Sequence, residues 1–183
     1  MVEEVVKAAS AMAEEKTGAL IIFERETNLS EVIRTGTIVD SNVSAQLLRL
    51  LFVKNTPLHD GAVIIRGNKI YAAACYLPLS NNLHLNKDLG TRHRAGIGIS
   101  ESTDCISVIV SEETGYISMA RGGVLTRNIT PDILRKLLRE GLAPQDKGKK
   151  AGSKVAGLFR LADRVSKKRK DKKKRDGDGN GKA

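Results

Sequence analysis

The feature that most limits what this chain can fold into is the placement of its charge. Residues 1–143 hold 16 Lys+Arg and 16 Asp+Glu, whereas residues 144–183 hold 15 and 5, so the whole formal charge of +10 lies in the C-terminal segment. The last stretch, "KKRKDKKKRDGDGNGKA", has almost no apolar content and is expected to be disordered. Before it, "QDKGKKAGSK" reads as a linker, and "KVAGLFRLADRVSKK" sets Val155, Leu158, Phe159, Ala162 and Val165 on one face of a short basic amphipathic helix. Folding is therefore the work of residues 1–143, enough for one domain with a real core and too few for two ordinary ones.

That partition also restricts function. The folded part is neutral and only 3% of the chain is aromatic, which leaves little for backbone tracking or base stacking, so no specific nucleic acid is expected as a partner. Cys75 and Cys105 sit in apolar runs without CxxC spacing and read as reduced core thiols of a cytoplasmic protein. No run of 18 apolar residues suggests a membrane span, and "MVEEVVKAAS" lacks the apolar region of a secretory signal.

Hydrophobic periodicity divides residues 1–143 into elements. Val5, Val6, Ala9, Met12 and Ala13 form a helical stripe over 3–16, stopped by Gly18, and "ALIIFER" (19–25) reads as a buried strand. A short helix is expected in "NLSEVIRTG", capped near Ser30 and closed by Gly36, followed by the extended piece "TIVDSNV". Residues 44–55 predict a helix with Ser44 as N-cap and Pro57 barring continuation. "AVIIR" and "IYAAACYL" flank "GNK", a hairpin over 62–77. Strands follow at 105–113 and 116–121 with a turn at Gly115, and "GGVLTRN" adds another. Thr130, Pro131 and Gly141 mark the start and stop of a helix over 130–142. The mixture predicts an α/β (mixed α+β) fold: one globular domain, with helices flanking a central mixed β-sheet.

The standard phosphate cradles are absent. No Walker loop, HExxH or serine-nucleophile elbow occurs, and "GIGISE" (96–101) lacks the third glycine of a dinucleotide fingerprint. Three polar clusters remain. Thr91, Arg92, His93 and Arg94 lie between glycines with no acidic residue from Asp88 to Glu101. At a helix start such side chains and free N–H groups can converge on an anion; the alternative is surface salt bridging. His59-Asp60-Gly61 at a strand entry is either a turn or an imidazole–carboxylate pair able to hold a divalent ion and accept a hydroxyl proton. In "SEET" (111–114), Ser111 and Glu113 would share a face if the strand continued, or the segment is a charged hairpin turn. Together these supply an acid, a metal ligand and a phosphate clamp, the parts of phosphoryl or nucleotidyl transfer.

The motifs "LHDGA" (58–62), "GTRHRA" (90–95) and "VSEETG" (110–115), in that order, resemble the diadenylate cyclase domain, and "AAACYLPLS" is similar to its membrane-associated branch. The resemblance covers roughly residues 3–142, so 1–143 is expected to be the catalytic domain and 144–183 an appended basic segment. It implies joining of two ATP molecules into cyclic di-AMP with release of two pyrophosphates, aided by a divalent metal, Mn²⁺, Mg²⁺ or Co²⁺. On this chain it implies Asp60 acting on the 3′-hydroxyl, with His59 and Asp60 at the metal. Arg92, His93 and Arg94 complete the catalytic set, Thr91 joins them on the triphosphate, and Ser111 and Glu113 lie on the phosphate side. Gly61 lets the protein backbone approach the nucleotide, and Tyr76 and Leu77 contact adenine.

Each 3′-hydroxyl must attack the other ATP's α-phosphorus, which implies a homodimer or higher homo-oligomer facing about a two-fold axis. Members of this branch usually carry transmembrane helices before the domain. The chain is then expected to be a soluble piece of an enzyme tethered to the cytoplasmic face, or a natural soluble form. The basic tail is expected to be simply solvated, with contact to an anionic membrane surface as the next reading. The competing readings are a catalytically silent ATP or cyclic-dinucleotide sensor and, less favoured, a nucleic-acid-binding protein.

Overall fold

The computed structural model describes residues 1–82, 85–86 and 89–143; the expected linker, amphipathic helix and Lys-rich tail of 144–183 lie outside them. Seven strands form one sheet: β1 (Ala19–Glu24), β2 (Thr37–Asn42), β3 (Ala62–Arg66), β4 (Lys69–Cys75), β5 (Ile106–Val110), β6 (Ile117–Arg121) and β7 (Val124–Thr126). Their order is β2-β4-β3-β1-β5-β6-β7. Only β1 and β3 run parallel and every other neighbour is antiparallel, so the sheet is mixed, as expected. The β3–β4 hairpin turns through Gly67 and Asn68, closing the Arg66–Lys69 pair, with Gly67 at φ +58°.

Period-two alternation assigns the two faces. Ile21, Phe23, Val63, Ile65, Val108 and Val110 point to one side, under α1 (Val2–Glu14), α3 (Ala45–Leu51) and α5 (Pro131–Leu142). Val5, Met12, Leu48, Leu134 and Leu138 from those helices are fully buried there. Leu20, Ile22, Ile64 and Ile109 point to the other side, which is covered by α4 (Thr91–Ser102) and the short α2 (Ser30–Ile33).

Element boundaries hold with four local corrections. Ser30 is the first helical residue of α2 rather than its cap; Asn28 Oδ1 accepts from the Ser30 N–H at 2.7 Å. Helix α3, capped by Ser44 Oγ on the Leu47 N–H, ends at Leu51, short of residue 55. Beyond it the N–H groups of Phe52 and Val53 reach back three residues in tighter turns, and Pro57 is not the terminator. Gly141 lies inside α5, buried against Ile106, so it serves close packing and not termination. Strand β5 stops at Val110, and Ser111–Thr114 form a turn in which the Gly115 N–H bonds the Ser111 carbonyl at 2.9 Å. The shared face expected for Ser111 and Glu113 therefore does not exist as strand geometry.

Candidate active site

The site is assembled at one end of the sheet, where β1 begins, β4 and β5 end, and α4 starts. A cleft of about 430 Å³ opens there, in the size range of small-molecule sites. Asp60 and Gly61 form one wall, Cys75 to Leu77 with Leu79 a second, Gly90 to His93 with Ala95 a third, and Val110 to Glu113 the fourth; Leu20 lines it as well.

The Asp60 wall depends on a bulge. Between the pairs Ala62–Cys75 and Ile64–Ala72, β4 carries one residue more than β3. Ala74, inside the bulge, has φ +54°, and Gly61, just before β3, has φ +106°. A Cβ on Gly61 would lie 2.8 Å from the Cys75 carbonyl oxygen, so only glycine fits this approach. A non-glycine residue such as Ala74 at positive φ costs on the order of 1 kcal/mol, and strain of this kind gathers at functional sites. The bulge turns Tyr76 and Leu77 out of the ladder and onto the cleft, where Tyr76 is 66% exposed. The Tyr76 N–H, freed from the sheet, is taken up by Thr35 Oγ1 at 2.9 Å.

The opposing wall is the start of α4. Gly90, extended at φ −66° and ψ 172°, precedes the helix and no side chain caps it. Its uncapped N–H groups and macrodipole favour an anion, and Thr91 and Arg92 stand at that end. Further along, α4 presses on the loop after β4. A Cβ on Gly98 would sit 2.4 Å from the Pro78 carbonyl oxygen and 2.7 Å from the Ser80 nitrogen. The Ser80 N–H donates to the Arg94 carbonyl at 3.0 Å, and its hydroxyl to Glu101 at 2.7 Å, so helix and loop are joined directly.

The consecutive TRHR side chains diverge, as successive helical positions must. Thr91 and Arg92 reach the cleft. His93 also lines it but is only 5% exposed, and burial, helped by the nearby Arg127 charge, pushes its pKa down to about 4. His93 is therefore a neutral imidazole at pH 7, not a cation. Arg94 is half-buried and does not line the cleft. His59 stands beside the cleft rather than in its wall, its Nδ1 2.6 Å from the Thr56 carbonyl. A carbonyl only accepts, so Nδ1 is the donor in this contact and Nε2 is the nitrogen left to face a ligand. Burial raises the Cys75 thiol to about 11, so it is an inert part of the lining.

Arg92 finds an acidic partner outside its own segment: Nη1 lies 3.3 Å from Glu112 Oε1. Glu112 Oε2 in turn is 3.8 Å from Lys54 Nζ, a residue of the loop after α3. Neither Glu112 nor Lys54 stood out in the sequence. Adjacency to Glu113 was the available signal, but alternation along a continued strand pointed away from Glu112.

A mixed sheet with a ligand-sized cleft at its strand ends, walled by a bulged strand and an uncapped basic helix start, defines a class: an α/β domain with an end-of-sheet binding site. The chain belongs to the DAC family, DisA bacterial checkpoint controller nucleotide-binding, which matches residues 6–125. It is 50% identical over 137 residues to the cyclic di-AMP synthase CdaA of Bacillus subtilis, covering 75% of this chain and 50% of that protein. It is also 50% identical over 142 residues to a diadenylate cyclase of Listeria monocytogenes, covering 78% and 52%. The chain thus spans about half the length of these curated relatives. The crystal structure of a double mutant of DacA from Staphylococcus aureus is similar at a TM-score of 0.77 and 52% identity, covering 78% of this chain and 95% of that one.

Proposed function

We propose that residues 1–143 form the catalytic unit of a diadenylate cyclase, which condenses two ATP into cyclic di-AMP and two pyrophosphates. The observation that carries this reading is the cleft itself: it sets the exposed Asp60–Gly61 corner against Thr91 and Arg92 at an uncapped helix start. Adenine stacks on the exposed Tyr76 face beside Leu77. The triphosphate lies toward the first turn of α4, with Thr91 and Arg92 as donors and Ser111 and Glu113 along the opposite rim. His93, neutral and buried, packs at the back of the cleft near the helix start. Arg94 supports from outside the lining.

The donor set suits a divalent ion shared with substrate. Among the described residues no three His, Cys, Asp or Glu side chains are placed to hold a metal. His59 Nε2 and the Asp60 carboxylate would supply two ligands and substrate oxygens the others, the usual pattern for Mg²⁺ or Mn²⁺ at phosphate. The ion offsets charge on the phosphates and lowers the pKa of an oxygen bound to it. Asp60 accepts the 3′-hydroxyl proton as that oxygen attacks the α-phosphorus in line with departing pyrophosphate. Two such attacks close the ring, so two domains meet face to face about a two-fold axis, each holding one ATP. The cytoplasm, where ATP is made, is the proposed setting; among the described residues no helix is long and apolar enough to cross a membrane.

The test is mass spectrometry of products after incubation with ATP and Mn²⁺. The wild type is expected to yield cyclic di-AMP, and Asp60→Asn to lose at least about a hundredfold in rate, the low end for a removed general base. ATP binding without product would favour the silent sensor. No ATP binding would overturn the reading.

A further inference from the structure

We propose that Glu112 is a built-in occupant of the phosphate position on Arg92: it holds the guanidinium in the empty cleft, yields it to the incoming polyphosphate, and then speeds pyrophosphate departure. This rests on the cyclase reading and deepens it. One carboxylate engages two cations from separate elements, Arg92 Nη1 at 3.3 Å and Lys54 Nζ at 3.8 Å. The turn that carries Glu112 closes without its side chain. Ser111 Oγ accepts from the Thr114 N–H at 3.2 Å, and the Ser111 carbonyl accepts from the Gly115 N–H at 2.9 Å. The carboxylate is thus free of any duty to the turn.

The engagement is also incomplete. Arg92 is mostly buried, with its side chain 23% exposed, and its Nε is buried with no hydrogen-bond partner among the described residues. Nη1 is the nitrogen nearest the carboxylate by distance, and a guanidinium with five N–H donors retains others for a ligand richer in oxygens. Its position is fixed nonetheless: a Cβ on Gly18 would fall 2.8 Å from Arg92 Nη1 and 3.1 Å from Glu112 Oε2, so the pair packs on bare backbone. Glu112 is 47% exposed, and a pair so open to water is weak enough to be exchanged. Once displaced, the carboxylate faces phosphate with like charge. It therefore lowers affinity for substrate polyphosphate and for the pyrophosphate left behind, acting as a positioning residue through Arg92.

The probe is inorganic tripolyphosphate, titrated calorimetrically without added metal into the wild type, Glu112→Gln and Glu112→Ala. Both variants are expected to bind about three- to tenfold tighter, from the modest worth of an exposed ion pair. The gap should narrow as salt is raised. Pyrophosphate should inhibit product formation more strongly in both, while their thermal midpoints match the wild type. Unchanged or weaker binding in the variants overturns the inference. If the wild type makes cyclic di-AMP and binds the probe, such a result leaves the cyclase reading standing. A wild type that binds no tripolyphosphate removes the phosphate clamp itself, and the inference with it.

Discussion

Helices α4 and α5 have the same length, twelve residues, and follow opposite rules in their first turns. In α5, Thr130 Oγ1 caps the Ile133 N–H, Pro131 opens the helix and Asp132 meets the positive end of the dipole. Leu134, Leu137 and Leu138 then form a buried stripe. In α4 the cap is Gly90 with no side-chain bond, Arg92 and Arg94 place positive charge where the dipole repels it, and Gly96 and Gly98 interrupt its buried Ala95, Ile97 and Ile99. What α5 spends on holding the sheet, α4 leaves available to a ligand. Residues that look like poor helix design mark the helix that lines the cleft.

Three measurements sharpen or break that contrast, in falling order of effect. Arg92→Ala is expected to reduce cyclic di-AMP formation about a hundredfold or more, the scale for loss of one charge-stabilising donor. Its urea midpoint should not fall, because a cation leaves the first turn of a helix; a clear loss of stability would make Arg92 structural.

The second concerns His93. The unfolded chain takes up this proton near pH 6.5, the folded one only near 4. The stability held by the neutral ring is therefore complete above about pH 6.5 and is lost as the pH falls toward about 4. The loss amounts to up to about 3 kcal/mol. Denaturation at pH 7.5 and 4.5 should show a smaller drop for His93→Gln than for the wild type. Equal drops would mean the ring is solvated.

The third is a matched pair at the two helix starts. Thr130→Ala should cost about 1 kcal/mol with activity unchanged, whereas Gly90→Ser should add a few tenths and weaken ATP binding, its hydroxyl now taking an N–H meant for phosphate. No Cβ clash stands in the way at Gly90. Equal behaviour at both positions would dissolve the contrast between the helices.

The same contrast explains what could be read in advance. The start of α5 was legible because Thr130 and Pro131 act within one turn of themselves, and the strands of the β3–β4 hairpin because short apolar runs and a Gly-Asn turn are local. The three motifs of the site were legible as clusters, and the sheet brings Asp60, Thr91, Arg92, Ser111 and Glu113 to one cleft. The Arg92–Glu112 contact was not legible, since it joins residues that only the packing of α4 against β5 makes neighbours. Nor was the separation of Arg92 from Arg94, because it depends on where the helix begins relative to the sheet. Gly141 misled for a physical reason too: a glycine at the end of a periodic stretch fits a stop signal as well as it fits a close contact with Ile106.

The contact of Gly98 with Pro78 and Ser80 has a kinetic consequence. Because backbone meets backbone there, the wall after β4 and the α4 wall of the cleft are joined directly. A ligand entering between them is expected to find the width of the cleft already set. A larger side chain at Gly98 would change that width, shifting association and dissociation together while leaving every polar group in the cleft as it is.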